Sequence, residues 1–286
     1  MSELEKQSQP IGVFDSGVGG LTVLKHLIHA MPGEEFVYLG DTARVPYGNK
    51  SPETIRHYTR QCVNFLLSFD VKAIVIACNT ASALALDLAR EISPVPVIGM
   101  IHPAAAAAIE LSDTKKIGVI GTRATIGSHA YELAINTFAK EQGQHIEVFA
   151  KACPLFVPLA EEDFGNHPSA AMIAHEYLDE FLSLGIDVIV LGCTHYPLLK
   201  ELIGKTLPDI TLLDCGETAA RELCNILQIH EKRDVDVVPV VRLFTTDSVH
   251  AFSTIAERCI GFPLPEPLRI SAETLEEQGL SGFESL

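Results

Sequence analysis

The sequence predicts an α/β protein of two duplicated, pseudo-symmetric lobes, each a mostly parallel sheet flanked by helices, with the functional site in the cleft between them. Three observations carry this reading. FLLSFDVKAIVIACNTAS, ending around Cys78, and EFLSLGIDVIVLGCTHYP, ending around Cys193, match when their cysteines are aligned. Val71 then falls on Ile186, Ile74 on Ile189, Val75 on Val190 and Ile76 on Leu191. Further upstream, Ile11-Gly12-Val13-Phe14-Asp15-Ser16 resembles Ile117-Gly118-Val119-Ile120-Gly121-Thr122. Finally, the apolar runs before both cysteines are short and unbroken, the pattern of strands buried on both faces of a parallel sheet. Two copies indicate a duplicated lobe and are too few for a solenoid.

Each element follows in order. Ile11 to Phe14 is a strand, and the small-residue loop Asp15 to Gly20 leads into a helix from about Leu21 to Ala30. Phe36 to Leu39 is a second strand, followed by the polar stretch Gly40 to Asn49. Ser51 can cap a helix that opens with Pro52, where a missing N–H costs nothing. The third strand ends at Cys78, Asn79 to about Arg90 is helical, and Val95 to Met100 is a short strand. The second lobe begins with Ile117 to Gly121, then Ile146 to Ala150 and an irregular loop from Cys153 to Glu162. A long helix covers about Pro168 to Leu184, and the second cysteine strand and its helix run to about Ile203. Thr211 to Leu213 is a strand, Gly216 to Ile226 a helix, and Val237 to Thr246 a strand. The tail from Pro263 is proline-rich, then acidic, and its last residues are expected to be loosely held. The lobes divide as residues 1–101 with 214–286, and residues 102–213.

Composition narrows the function. The 286 residues suffice for two medium lobes, and 47% hydrophobic content is that of a packed globular protein. With 37 acidic against 21 basic residues the formal charge is −16, which argues against nucleic acid and anionic membrane as partners. A local site on such a surface can still favour an anion. The polar start MSELEKQSQP carries no secretory signal, and no apolar run reaches the ~18 residues of a membrane span. Seven cysteines without a CxxC pair or zinc-ligand spacing read as free thiols in a reducing cytoplasm.

Cys78 and Cys193 are the leading candidates for chemistry. Each ends a buried strand, where open α/β sheets place their sites, and each precedes a helix start whose dipole and N–H groups would lower a thiol's pKa from ~8.5. A single buried cysteine is often only a small hydrophobe, but two in register, followed by Asn79 and Thr80 or by Thr194 and His195, point to paired function. Cys62, Cys153, Cys215, Cys224 and Cys259 lack this context and read as structural. Asp15-Ser16-Gly17 opens a glycine loop, yet a dinucleotide site fails because Thr22 stands where the fingerprint needs glycine and Asp15 would repel a pyrophosphate. Asp15 could serve only as a helix cap, but it breaks the repeat, since Gly121 replaces it in the other half. His195 could act as acid, base, thiolate partner or metal ligand; no second ligand motif accompanies it. Of Glu161 and Glu162, one can reach the cleft, and the residues alone do not choose between them.

The segments FDSGVGG, YLGDTARVPYG, IACNTAS, IGVIGT, CPLFVPL and LGCTHYPLL resemble the glutamate racemases, within the aspartate/glutamate racemase superfamily, over roughly Ile11 to Gly261. DSGVGGL and GDTARVPYG point to the glutamate rather than the aspartate branch. The resemblance implies interconversion of L- and D-glutamate without a cofactor or metal, in the service of peptidoglycan synthesis. It implies that Cys78 handles D-glutamate and Cys193 L-glutamate, with Asp15 assisting Cys78, and His195 and Glu161 assisting Cys193. The substrate contacts it implies are Asp15, Ser16, Tyr47, Gly48, Asn79, Thr80, Thr194 and His195. The expected partner is glutamate, and a homodimer is an open alternative to the monomer. Two other classes compete. A two-lobed amino-acid binding protein would need neither thiol, and a cysteine hydrolase using Cys193 with His195 would leave Cys78 without a role.

Overall fold

A computed structural model describes residues 9–229 and 239–281. The first lobe opens with β1 (Ile11–Asp15), α1 (Leu21–Ala30), β2 (Glu35–Gly40), α2 (Pro52–Leu67), β3 (Ala73–Ile76), α3 (Asn79–Ile92) and β4 (Val97–Gly99). Helix α4 (Ile101–Leu111) leads to β5 (Lys116–Gly121), α5 (Arg123–Gly127), α6 (Ala130–Glu141) and β6 (Glu147–Ala152). Then come α7 (Phe156–Glu161), α8 (Pro168–Leu184), β7 (Val188–Gly192), α9 (Lys200–Thr206) and β8 (Thr211–Asp214). The chain continues through α10 (Cys215–Leu227), β9 (Val240–Thr245), α11 (Val249–Ile260), β10 (Leu268–Arg269) and α12 (Ala272–Ser281).

Two sheets result, with orders β10-β9-β2-β1-β3-β4 and β6-β5-β7-β8. Every pairing is parallel. The four strands β2-β1-β3-β4 have the same order as β6-β5-β7-β8, and the repeat extends to register. Ile11 pairs with Ala73 and Ile117 with Val188; Ile74 pairs with Val97 and Ile189 with Leu212. The sequence alignment of the two cysteine segments is therefore also an alignment of hydrogen-bonded strands. All residues of β3 and β7 are buried, as their unbroken apolar character requires.

One core is common to the two sheets. It contains Ile11 and Val13 of β1, Ile117 and Val119 of β5, and Ala104, Ala108 and Ala219 of the helices α4 and α10. The small side chains of α4 let these layers approach closely. Separate cores lie on the outer faces, around Phe14, Ile74 and Ile76 in one sheet and Ile189, Leu191 and Phe181 beside the other. Ser51 caps α2 as its sequence implies, its Oγ accepting the Thr54 N–H at 3.3 Å, with Pro52 in the first turn.

Several segments depart from the sequence reading. The stretch expected as an irregular loop after Cys153 contains α7, because Pro158 lies in a helix's first turn, where no intrahelical N–H is required. Helices α4, α6 and α11 have apolar stripes that the strand-centred reading passed over. The strand expected over Val237 to Thr246 is described from Val240; Val237 and Val238 lie outside the described residues. The tail, read from sequence only as proline-rich and then acidic, adds two elements: β10 extends the first sheet, and α12 buries Leu275 completely in the Phe14–Ile74 core. The residues after Ser281 lie outside the described part.

Candidate active site

The strand ends β1, β3, β5 and β7 open onto one cleft of about 540 Å³. Ser16, Tyr47, Gly48, Cys78, Asn79, Thr80, Glu161, Cys193, Thr194 and His195 all line it. A larger hollow of about 670 Å³ between α1, α4 and α10, bounded by His26, Glu110, Asp214 and Arg221, contains none of these residues. The residues singled out from the sequence therefore gather at the smaller space.

Cys78 follows β3 and is the N-cap of α3. Its Sγ accepts the Ala81 N–H at 3.5 Å and lies 3.6 Å from Ser16 Oγ. The expected lowering of its pKa does not occur. Burial, followed by the adjacent Asp15 charge, pushes the thiol up to about 12, outweighing the helix N–H and Ser16. Cys78 is thus held as a thiol. Asp15 is fully buried beneath Ser16, its Oδ2 accepting the Gly17 N–H at 2.9 Å and its Oδ1 facing Thr194 Oγ1 at 3.5 Å. Burial lifts the Asp15 carboxyl above the ordinary range, against the nearby His195 charge and the N–H groups of the glycine loop.

Cys193 is set differently. Pro197 follows it by four residues, and the chain makes a short 3-10 turn, Tyr196–Leu199, before α9. Neither Cys193 nor Thr194 therefore stands at an α-helix start, contrary to expectation. The charge that a helix terminus would supply comes instead from His195. Its Nδ1 lies 3.9 Å from Cys193 Sγ and its Nε2 lies 2.9 Å from Glu161 Oε1. Burial disfavours the imidazolium, but the hydrogen bonds and charges of Cys193 and Glu161 outweigh it and raise His195 to about 10. His195 accordingly presents a positive charge to the Cys193 sulfur. Glu161, rather than the exposed Glu162, is the residue that reaches the histidine. Despite partial burial, its carboxyl is held below the usual range by His195 and, more weakly, by Arg258. Arg258 of α11 also donates to the main-chain carbonyls of Ala160 and Glu161, so a helix in the returning part of the chain fixes the C-terminal end of α7.

The remaining residues surround the thiols. Tyr47 is buried and its hydroxyl donates to Asp41, whose carboxylate also accepts from Arg44 Nε at 2.8 Å and Thr246 Oγ1 at 3.1 Å. Tyr47 and Gly48 are thereby left with main-chain groups to offer a ligand. Gly48 packs so closely that a Cβ would lie 2.7 Å from Thr122 Cβ. Thr80 Oγ1 reaches across to Thr122 Oγ1 at 2.9 Å and Thr125 Oγ1 at 3.1 Å. Thr122 also lines the cleft and was missed as a site residue, although the internal repeat aligns it with Ser16. Arg123 is the one lysine or arginine among the described residues of the cleft wall.

Two lobes of matching parallel topology, each contributing one thiol to a shared cleft, define the class of α/β protein. The comparisons agree with this class. The profile of the Asp/Glu/Hydantoin racemase family matches residues 11–223, and the chain belongs to that family. A glutamate racemase of Sulfurihydrogenibium sp. (strain YO3AOP1) is 45% identical over 263 residues, spanning 92% of this chain and 98% of that one. The glutamate racemase of Geobacter metallireducens is 44% identical, over 93% and 98% of the two chains. Among solved structures, a glutamate racemase isoform from Bacillus anthracis has a TM-score of 0.86 at 39% identity, covering 93% of this chain and 98% of that one. Glutamate racemase from Francisella tularensis in complex with D-glutamate has a TM-score of 0.84 at 39% identity, covering 94% and 99%. The protein is an isomerase of the racemase class.

Proposed function

We propose that this protein interconverts L- and D-glutamate by a cofactor-independent, two-thiol mechanism, working in the cytoplasm to supply D-glutamate for peptidoglycan. The observation that carries the reading is the opposite electrostatic setting of two cysteines on one cleft. Cys78 is held protonated beside a buried carboxyl, while Cys193 faces a cationic histidine. The D-glutamate complex of the Francisella tularensis relative and the glutamate racemases among the other relatives support the substrate.

The working units are residues 1–101 with 214–286, and residues 102–213, each contributing one thiol. In the L-to-D direction the Cys193 thiolate, facing His195, removes the α-proton. The electron pair of the C–H bond moves into the carboxylate, leaving a carbon that is planar at the reacting centre. The Cys78 S–H then donates its proton to the opposite face, so Cys193 ends as thiol and Cys78 as thiolate. The reverse reaction runs through the same steps from Cys78. A carbon acid this weak needs fixed dipoles on the developing charge. Asn79, Thr80 and Thr194 are the groups assigned to it, with main-chain groups of Tyr47 and Gly48 for the distal carboxylate. Arg123 supplies the cation that draws glutamate, with its two carboxylates and net charge of −1, to a chain of net charge −16.

The test is exchange of the glutamate α-hydrogen in deuterium oxide. Deuterium must enter both enantiomers with purified protein alone. Absence of exchange with glutamate would overturn the reading. Release of an acyl or amide product without exchange would favour the cysteine-hydrolase alternative.

A further inference from the structure

A buried chain of polar groups runs beneath the cleft floor and ties the two cysteine loops together. Asn79, immediately after Cys78, places its Oδ1 2.6 Å from the hydroxyl of Tyr131 in α6. The same hydroxyl lies 3.1 Å from Cys215 Sγ at the start of α10. Cys215 Sγ in turn lies 3.3 Å from the carbonyl of Leu191, two residues before Cys193. Asn79, Tyr131, Cys215 and Leu191 are each at most 3% exposed, so these groups satisfy one another rather than water. Burial holds the Cys215 thiol protonated, pushing it up to about 12. Its hydrogen can therefore serve Tyr131 Oη or the Leu191 carbonyl, and the phenol keeps its own hydrogen for Asn79.

We infer that Tyr131 is a positioning residue, holding the Asn79 side chain with its carbonyl oxygen inward and its NH2 toward the cleft. An amide turned the other way would set Oδ1 against a carboxylate and stabilise nothing. The donor orientation is what a developing enolate needs, and the hydroxyl that selects it comes from the other lobe. The inference rests on the proposed glutamate chemistry for its kinetic consequences, but its geometry can be tested without turnover.

Three substitutions and one spectrum decide it. Tyr131→Phe should lower kcat/KM about tenfold to a hundredfold, short of the ~10²–10³ lost when such a donor is removed outright. In an Asn79→Ala background the same change should cost less than about twofold, because Tyr131 acts through Asn79. Equal losses in both backgrounds would make Tyr131 merely structural and overturn the inference. Asn79→Asp keeps the inward oxygen for Tyr131 and replaces the cleft-facing NH2. It should lose at least about a hundredfold in kcat/KM. Turnover nearly kept would show the amide reversed and the inference wrong. The Asn79 side-chain NH2 resonance of ¹⁵N-labelled protein, free of substrate, should shift in Tyr131→Phe. If the wild-type protein does not exchange glutamate at all, the functional reading fails, while this spectrum still judges the orientation. An unmoved resonance would sink the orientation alone.

Discussion

Thr194 donates its hydroxyl to Asp15 across the cleft floor at 3.5 Å, although 179 positions separate the two. The acid of the first lobe is thereby joined to the loop that carries Cys193. Asp15 helps push Cys78 up, and His195 pulls Asp15 down. Asymmetry at this site is a matter of which thiol has an anion beside it and which has a cation.

The two sides should be separable by isotope effects. L- and D-glutamate are mirror images, so kcat/KM in the two directions must stay equal in every variant, and the difference must appear in which proton transfer limits the rate. Asp15→Asn should raise the primary isotope effect with 2-deuterated D-glutamate relative to 2-deuterated L-glutamate. His195→Asn should do the reverse. Shifts of the same sense in both variants would refute the assignment of Asp15 to Cys78 and of His195 to Cys193.

Each thiol is expected to be indispensable. Cys78→Ala and Cys193→Ala should each reduce racemisation by more than the ~10²–10⁴ of an ordinary acid–base group. Turnover above about a hundredth of wild type in either variant would exclude one thiol per face.

The alkaline limb of activity should follow His195. Its proton is held up to about 10 by Cys193 and Glu161, so the imidazolium facing Cys193 persists at neutral pH and is lost as pH rises through that value. Glu161→Gln removes one of the causes and should move the alkaline limb of kcat/KM to lower pH. The stability arising from this raised pKa is fully present below the ordinary 6.5 and fades as pH climbs toward 10. Denaturant titrations of wild type and His195→Asn should therefore converge over that interval.

Gly19 should tolerate no side chain. A Cβ there would lie 2.6 Å from Nδ1 of His195 and 2.6 Å from Thr194 Oγ1, displacing the histidine from Cys193. Gly19→Ala is expected to cost about 1–3 kcal/mol of stability and most of the turnover. Gly127→Ala, where a Cβ meets nothing within 4 Å, is the control that should keep both. Comparable losses at the two positions would show that crowding of His195 is not the cause.

Activity should require no added cofactor. Loss of turnover after chelation or after removal of a carbonyl cofactor, restored on adding it back, would contradict the two-thiol chemistry. The assay is racemisation by extensively dialysed protein.

Much of the fold was legible because buried parallel strands leave a dense local signal. The apolar runs before Cys78 and Cys193 located β3 and β7, and the aligned halves prove to share a register, Ile11 on Ala73 and Ile117 on Val188, that only the structure shows. The motifs that carry the family resemblance also named residues that converge on one cleft. Helices α4, α6 and α11 were less visible, since their stability depends on the sheets they pack against more than on local propensity.

The sequence by itself determined the duplication, the two cysteine loops and the family, because each is encoded in contiguous residues whose pattern repeats. The residues by themselves left Glu161 and Glu162 open; tertiary structure brings Glu161 to His195, turns the Tyr47 hydroxyl inward to Asp41, and places Arg258 on the end of α7. It also reversed the expected effect on Cys78. A helix N-terminus can be read from local sequence, whereas the burial and the Asp15 charge that overcome it depend on segments brought together by folding.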